Sequence, residues 1–328
     1  MKIGIFTALF HDRPIEEALD IIAGAGIQAV ELGAGAYPGS RHLDDLGGVE
    51  ALIKDEGARK KLQKMVTDRG LVIDSLSVHG NALHPDKAIA DDHHQAFVNA
   101  VLLAEKLGVG VVNGFSGCPG DGPRAKNPNW VTCAWPDEYR EILDWQWKKK
   151  VIPYWKNQNR FLRAHNVKFA IEAHPGFVVY NPETALKLRK AAGSQVGVNF
   201  DPSHFWWQGI DPIEAVRELG QAGAIFHVHA KDTRIDPRNS GINGNLDTKS
   251  YGDVMNRSWV FRSVGYGHDV SWWKDFVSAL LVVGYDDVMS IEHEDSLLST
   301  KEGITKAMET LKSAVVQEKP GAMFWAQD

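Results

Sequence analysis

The sequence predicts a (β/α)8 TIM barrel, a closed parallel sheet surrounded by helices, built from 328 residues. Short apolar runs rich in Val, Ile and Phe recur along the chain, and each is followed by a longer stretch with helical periodicity. Eight such repeats match the number of strands that closes this kind of barrel. With 44% hydrophobic and 24% charged residues, the chain has the composition of a globular protein that buries a large core.

The eight predicted strands follow from the apolar runs. They cover residues 2–9, 29–33, 71–78, 109–115, 168–173, 196–201, 224–230 and 287–292. Residues that start or end helices separate them: Pro14, Pro182 and Pro212 open helices, and Gly70 and Gly108 precede strands. No change in composition marks a boundary inside the chain, so we expect a single domain over residues 1–328.

Two long connections depart from a minimal barrel. Residues 116–136 follow the fourth predicted strand and residues 233–268 follow the seventh, and both are rich in Gly, Pro, Asn and aromatic residues. Because active sites of these barrels lie at the carboxyl ends of the strands, we interpret both connections as loops that cover a substrate. Residues 318–328, which contain Pro320, Phe324 and Trp325, are predicted to form a C-terminal extension that packs on a neighbour.

Charge, cysteine content and hydropathy limit the partners and the cellular compartment that we expect for this protein. The net charge is -6 and no long run of Lys and Arg occurs, so nucleic acid is not an expected partner. The two cysteines, Cys118 and Cys133, form no disulfide framework or CxxC pair, which is typical of a protein of the reducing cytoplasm. No segment is apolar for the roughly 18 residues that a membrane span needs.

Metal-binding side chain types follow four late strands. The segments KFAIEAHPG, VGVNFDPSH, IFHVHAKD and VMSIEHED supply Glu172, His174, Asp201, His204, His227, His229, Lys231, Glu292 and Glu294. Because alternate side chains of a strand share one face, these segments converge at the barrel mouth. Buried carboxylates are stabilised by a cation, so we predict one divalent metal held by Glu172, Asp201, His229 and Glu292. This mostly oxygen set favours Mn2+, with Mg2+ or Co2+ as alternatives.

Other polar and aromatic residues on the same face are candidates for substrate contact. They are His79, His204, His227, Lys231, Arg234, Trp206 and His268. For Lys231 and Arg234 the alternative is surface ion pairing, and for His227 it is a place in the core. Aromatic rings of the loops either stack on a sugar or pack the loops onto the barrel. Glu31 either contacts substrate or caps local structure.

At these four segments the chain resembles the xylose isomerase-like sugar isomerase and epimerase superfamily, and the resemblance runs nearly end to end. The superfamily includes tagatose 3-epimerase-type enzymes, inosose dehydratases and the distant endonuclease IV. The resemblance implies metal ligands at Glu172, Asp201, His229 and Glu292, with His204 near the substrate. The epimerases' second substrate-contacting glutamate has no match, because Phe177, Val178 and Val179 occupy that stretch.

The position of His174, two residues after Glu172, also resembles the catalytic α subunits of bacterial C-glycoside deglycosidases. Two chemistries therefore stay open, and both begin by removing a proton from the carbon beside a carbonyl. In an isomerase or epimerase, Glu172 and Glu292 would exchange the proton. In a lyase acting on a 3-keto-glycoside, His174 would remove it and the aglycone would leave. The alternative for His174 is to orient Glu172.

The expected partner is a small carbohydrate or glycoside. The chain is expected to form a homo-oligomer, or a hetero-oligomer with a smaller β subunit if it is a deglycosidase. Two other classes stay open: an endonuclease IV-like phosphodiesterase, which the acidic net charge disfavours, and a non-catalytic barrel subunit.

Overall fold

The computed structural model describes residues 1–319, 321, 323, 325 and 326. It contains every predicted barrel strand. In chain order the strands of the described residues are β1 (Lys2–Phe6), β2 (Ala29–Gly33), β3 (Val72–Ser77), β4 (Val111–Gly114), β5 (Lys168–Glu172), β6 (Val196–Phe200), β7 (Ile225–Ala230), β8 (Asp232–Ile235), β9 (Trp259–Arg262) and β10 (Val288–Ile291).

Eight of these strands close into a parallel barrel. Its order is β1, β10, β7, β6, β5, β4, β3 and β2, and β2 pairs with β1 to complete the ring. The last barrel strand, β10, pairs with β1 in parallel through Lys2 and Val288 at one end and Ile5 and Ile291 at the other. Since all eight strands run the same way, their carboxyl ends meet at one mouth, and the (β/α)8 fold is confirmed.

Helices surround the barrel. They are α1 (Ile15–Gly24), α2 (Arg41–Asp44), α3 (Val49–Lys54), α4 (Glu56–Thr67), α5 (Lys87–Leu107), α6 (Asp137–Trp145), α7 (Ile152–Ala164), α8 (Pro182–Ala192), α9 (Ser203–Trp206), α10 (Pro212–Gln221), α11 (Pro237–Asn243), α12 (Val270–Val282) and α13 (Thr300–Ala314). A π-helical turn, residues 146–151, joins α6 to α7.

Local sequence explains where several helices begin and end. Pro182 and Pro212 occupy first-turn positions, as predicted, where a missing N–H costs no hydrogen bond. The Asn181 side chain accepts from the Thr184 N–H and caps α8. Gly108 ends α5 with φ of 72°, a left-handed conformation that glycine adopts without strain.

The structure differs from the sequence prediction in two places. The first strand ends at Phe6 rather than residue 9, because Thr7–Phe10 turns into a 3-10 helix and the Thr7 hydroxyl donates to the Glu31 carbonyl. The predicted loop at 233–268 contains β8, α11 and β9, with β8 and β9 paired antiparallel. We call residues 232–262 the arm. The connection at 116–136 has no regular secondary structure, as predicted.

The C-terminal segment after α13 is only partly described. The Met1 amino group donates to the Val316 carbonyl over 2.9 Å, which places the start of this segment near the amino terminus. Pro320 and Phe324 lie outside the described residues, and packing of the extension on a neighbour stays a prediction. No helix in the described ranges combines the length and the apolar character that crossing a membrane requires.

Helix α12 supplies a test of core packing. Phe276 is fully buried and its ring lies 5.6 Å from that of Phe200, whereas Val282 on the same helix is 82% exposed. Phe276→Ala removes a buried ring and leaves a cavity, so we expect it to lower the free energy of unfolding by about 3–5 kcal/mol. Val282→Ala, the control, is expected to change it by less than about 0.5 kcal/mol. Urea denaturation measures both, and equal effects would contradict this account of the core.

Candidate functional site

Four barrel strands bring four metal-binding side chains to one point. Glu172 ends β5, Asp201 follows β6, His229 lies in β7 and Glu292 follows β10. One donor atom from each lies within 4.8 Å of the other three. The Asp201 and His229 side chains are fully buried, and Glu292 is 10% exposed. The structure therefore assembles the same four residues that the sequence indicated, as three carboxylates and one imidazole.

Unpaired polar atoms show that this cluster fits a cation. Asp201 Oδ2, His229 Nδ1 and Glu292 Oε2 are buried and make no hydrogen bond within the described residues. His229 Nδ1 and Glu292 Oε2 lie 3.0 Å apart without hydrogen-bond geometry. Since buried polar atoms are nearly always paired, three unpaired atoms close to one another fit a positively charged ligand. Carboxylate oxygens and imidazole nitrogen are donors for Mn2+, Co2+ or Zn2+.

Glu31 holds His229 in the orientation that a ligand needs. His229 Nε2 lies 3.0 Å from Glu31 Oε2, and because a carboxylate accepts, this nitrogen carries the proton. When the His229 ring is neutral, Nδ1 therefore presents its lone pair to the cluster. Glu31 itself is completely buried and accepts from Ser290 over 2.7 Å and from Asn113 over 3.0 Å. A carboxylate behind a metal-binding histidine is a common arrangement in metalloenzymes.

Two histidines fix Glu172. His204 Nε2 lies 3.0 Å from Glu172 Oε1, and His79 Nε2 lies 3.1 Å from Glu172 Oε2. Burial alone would raise the pKa of Glu172, but the hydrogen bonds from His204 and His79 hold this pKa well below its usual range. Burial and the nearby ring of His174 lower the pKa of His204 to about 3, so His204 is neutral at pH 7. Glu172 is thus an ionised, rigidly held carboxylate.

Lys231 supplies positive charge beside the cluster. Its Nζ lies 2.6 Å from Glu294 Oε2, 3.3 Å from Glu292 Oε2 and 3.7 Å from Asp201 Oδ2. Burial disfavours the ammonium, yet Glu292 and Glu294 raise the pKa of Lys231 well above its ordinary value. Burial, with the charges of Glu172 and Glu292, raises the pKa of Asp201 to about 7. A proton on Asp201 therefore substitutes at low pH for the charge that a metal would bring.

The His174 ring is held as a single neutral tautomer. Its Nδ1 lies 2.6 Å from the Pro175 carbonyl, and because a carbonyl can only accept, Nδ1 carries the proton and Nε2 has a free lone pair. Burial lowers the pKa of His174, which keeps the ring neutral at pH 7. The ring centroid lies 4.0 Å from that of His204. A neutral imidazole thus lies beside His204, which in turn contacts Glu172.

A cavity of about 450 Å³ opens on this face of the barrel. Its wall combines aromatic rings with a few polar groups and is formed by Tyr37, Phe115, His174, Phe177, Tyr251, Arg257, Val260, Phe261, Glu294 and Ser296. Phe115 and Phe177 stack with centroids 4.1 Å apart, and Lys231 Nζ lies 4.2 Å from the Phe261 ring. The cavity is large enough for a sugar with a substituent.

Four residues predicted to contact substrate lie outside both the four-residue cluster and the cavity wall. His227 sits deeper in the barrel, 2.9 Å from both Asp74 and Asn199. Arg234 is exposed on the arm, where its contact is the Gly267 carbonyl. Trp206 and His268 stack on each other with ring centroids 3.9 Å apart, and Trp206 also packs against Trp272. None of the four is among the residues that form the cavity wall, and the same holds for His79, His204 and Lys231, so contact with substrate stays a prediction for all seven.

The residues that sequence reasoning missed fall into two groups. Asn199 and Ser290 lie two positions before Asp201 and Glu292, on the same inward face, and a polar residue in an apolar strand was the available signal. By contrast, Tyr37, Phe115 and Arg257 reach the cavity from three loops far apart in the chain. No local pattern marks them, because tertiary folding alone brings these loops together.

Comparison with known proteins agrees with the barrel fold. The sequence profile of the xylose isomerase-like TIM barrel family matches residues 19–314. The uncharacterized protein YfiH of Bacillus subtilis (strain 168) is 38% identical over 320 residues, which are 97% of this chain and 100% of YfiH.

Solved structures show the same fold at lower identity. A D-tagatose 3-epimerase-like protein superposes with a TM-score of 0.64 at 20% identity, covering 96% of this chain and 97% of its own. The IOLI protein with a bound zinc atom gives a TM-score of 0.64 at 19% identity, covering 96% and 98%.

Removing one carboxylate of the cluster tests metal binding. We expect Asp201→Asn to weaken Mn2+ binding by about a hundredfold or more, since even the partners of metal ligands contribute about 10–100-fold. Glu294→Gln is the matched control, because Glu294 pairs with Lys231 and lies outside the four-residue cluster. Calorimetric titration of metal-free protein measures both affinities. Equal affinity in the two variants would contradict the assignment.

Metal affinity is expected to depend on pH. Asp201, with a pKa of about 7, must lose its proton before it can bind a cation. Glu31 and Glu292 raise the pKa of His229 against the effect of burial, so a proton on His229 competes as well. Acidification therefore weakens binding, by up to about tenfold per pH unit for each proton displaced. Mn2+ titrations between pH 5 and 8 measure this slope, and a flat profile would contradict it.

Proposed function

Because this chain belongs to the xylose isomerase-like TIM barrel family, we propose that it is a divalent-metal-dependent sugar isomerase or epimerase. It acts by removing a proton from the carbon beside the carbonyl of a ketose or keto-sugar. The observation that carries the proposal is the convergence of Glu172, Asp201, His229 and Glu292, three of which present unpaired buried atoms to one another. Mn2+ is our choice of metal, since oxygen donors dominate the set.

The four cluster residues would hold the cation, and His229 would bind through Nδ1 while Glu31 holds Nε2. When bound, the cation would act as a Lewis acid on the substrate oxygens and stabilise the negative charge that develops during proton removal. Glu172 and Glu292 would remove and return the proton. Since β6 and β7 separate their strands in the barrel, the two carboxylates approach the centre from different sides.

A second candidate function is supported by His174. Its neutral ring forms part of the cavity wall and its Nε2 has a free lone pair, as a general base requires. In a lyase, His174 would take the proton beside the carbonyl of a 3-keto-glycoside. The electrons of the broken C–H bond would form a double bond, and the aglycone would leave with the electron pair of its own bond. The aromatic cavity wall would suit such an aglycone.

One experiment separates these functions. Mn2+-loaded protein is incubated in D2O with D-fructose, D-tagatose and an aryl 3-keto-glucoside, and products are followed by NMR and mass spectrometry. Deuterium incorporation without cleavage is expected for an isomerase or epimerase, and release of the aryl group for a lyase. Asp201→Asn protein is the control and should do neither.

The His174→Ala variant identifies the base. If Glu172 and Glu292 exchange the proton, this variant retains exchange on the ketoses. If His174 is the base, the rate falls by roughly 10²–10⁴-fold while Mn2+ binding is unchanged. Loss of Mn2+ from His174→Ala would reject that role. Wild-type protein that binds Mn2+ but neither exchanges nor cleaves any substrate would overturn both candidates.

A further inference from the structure

A buried cation on the arm has no acidic partner. Arg257 is 2% exposed, and no carboxylate within the described ranges forms an ion pair with it. Acids in neighbouring segments pair with other cations: Asp247 with Lys249 at 3.2 Å and Asp295 with Arg262 at 2.9 Å. A buried guanidinium without a counter-charge is costly, and such groups are normally paired. No carboxylate of the described residues therefore neutralises the charge of Arg257.

The arm holds the Arg257 side chain in a fixed position. Its Nε donates to the Trp259 carbonyl over 3.1 Å and its Nη1 to the Lys249 carbonyl over 2.6 Å. The rings of Tyr251 and Trp259 each lie 4.5 Å from the guanidinium carbon. The remaining nitrogen, Nη2, is buried and makes no hydrogen bond with any described residue. Carbonyl groups and ring faces orient the cation without neutralising it.

Arg257 also forms part of the wall of the cavity, together with His174 and Glu294. We propose that the cavity takes a keto-sugar that carries a carboxylate, and that Arg257 pairs with this carboxylate. The inference rests on the proposed function, since it concerns the substrate of the same site. It makes Arg257 a specificity-determining residue that positions the far end of the substrate while the carbonyl end lies at the metal cluster.

The composition of the wall favours a carboxylate over a phosphate. Glu294 lies in the same wall, and its side chain is 36% exposed, so it would repel a dianion. Lys231 is already engaged by Glu294 and Glu292. One guanidinium nitrogen without a partner suits a singly charged, planar acceptor, which arginine binds with directional hydrogen bonds. The aromatic wall would contact the carbon skeleton.

Matched ligand pairs test the proposal. The probes are D-fructuronate with D-fructose, and D-glucuronate with D-glucose, with D-fructose 6-phosphate as the phosphate. Calorimetry gives their affinities for wild-type protein with and without Mn2+, and for Arg257→Gln, Arg257→Lys and Arg238→Gln. Arg238 is an exposed residue of α11 on the same arm and serves as the matched control.

For the wild type and Arg238→Gln we expect each carboxylate to bind about tenfold to a hundredfold more tightly than its neutral partner. Arg257→Gln is expected to abolish this ratio, and Arg257→Lys to retain part of it. Damage to the arm would instead weaken both members of a pair and leave the ratio unchanged.

Three results would overturn the proposal: no carboxylate preference in the wild type, a preference that persists in Arg257→Gln, or a stronger preference for the phosphate. Because the ratio is also measured on metal-free protein, a protein that fails to bind Mn2+ would refute the proposed function without deciding the role of Arg257.

Discussion

The structure depends on balancing negative charge at the mouth of a narrow barrel. Glu31, Glu172, Asp201 and Glu292 are buried there together, and isolated charges in such a place would destabilise the fold by several kcal/mol each. The chain provides partial compensation through Lys231. A proton on Asp201 or His229 also reduces the net negative charge. A divalent cation bound at the same atoms would neutralise more of that charge than a proton does. Stability and metal binding are therefore linked through the same groups.

Hydrogen-bonded polar residues continue from the mouth into the interior of the barrel. Inward positions that hold aliphatic residues in many barrels hold Ser, Asn, Glu and His here, and they bond to one another in layers. Asn199 donates toward Glu172 over 3.4 Å and contacts His227 over 2.9 Å, while Ser77 donates to Glu31. Because each group satisfies the next, the upper carboxylates are held rigidly, as a metal site needs.

The cavity above the cluster is the part of the site that can select among substrates. Its wall combines aromatic rings from separate loops with Arg257 and Glu294, whereas the cluster beneath comes entirely from strands and strand ends. Loops can vary without disturbing the strands, so one metal centre can serve many substrates. His174 and the arm would then determine which reaction follows proton removal and which substrate enters.

The amino-acid sequence alone was enough to predict the eight strands, the closed barrel and the strand ends that carry Glu172, Asp201, His229 and Glu292. These features are local: apolar periodicity defines a strand, and parallel strands place their carboxyl ends at one mouth. Tertiary structure decided the rest. It paired Glu31 with His229 across 198 positions, stacked Trp206 on His268, and made Arg257 part of the cavity wall. Such contacts depend on how distant loops pack in three dimensions, and no periodic pattern in the chain records that packing.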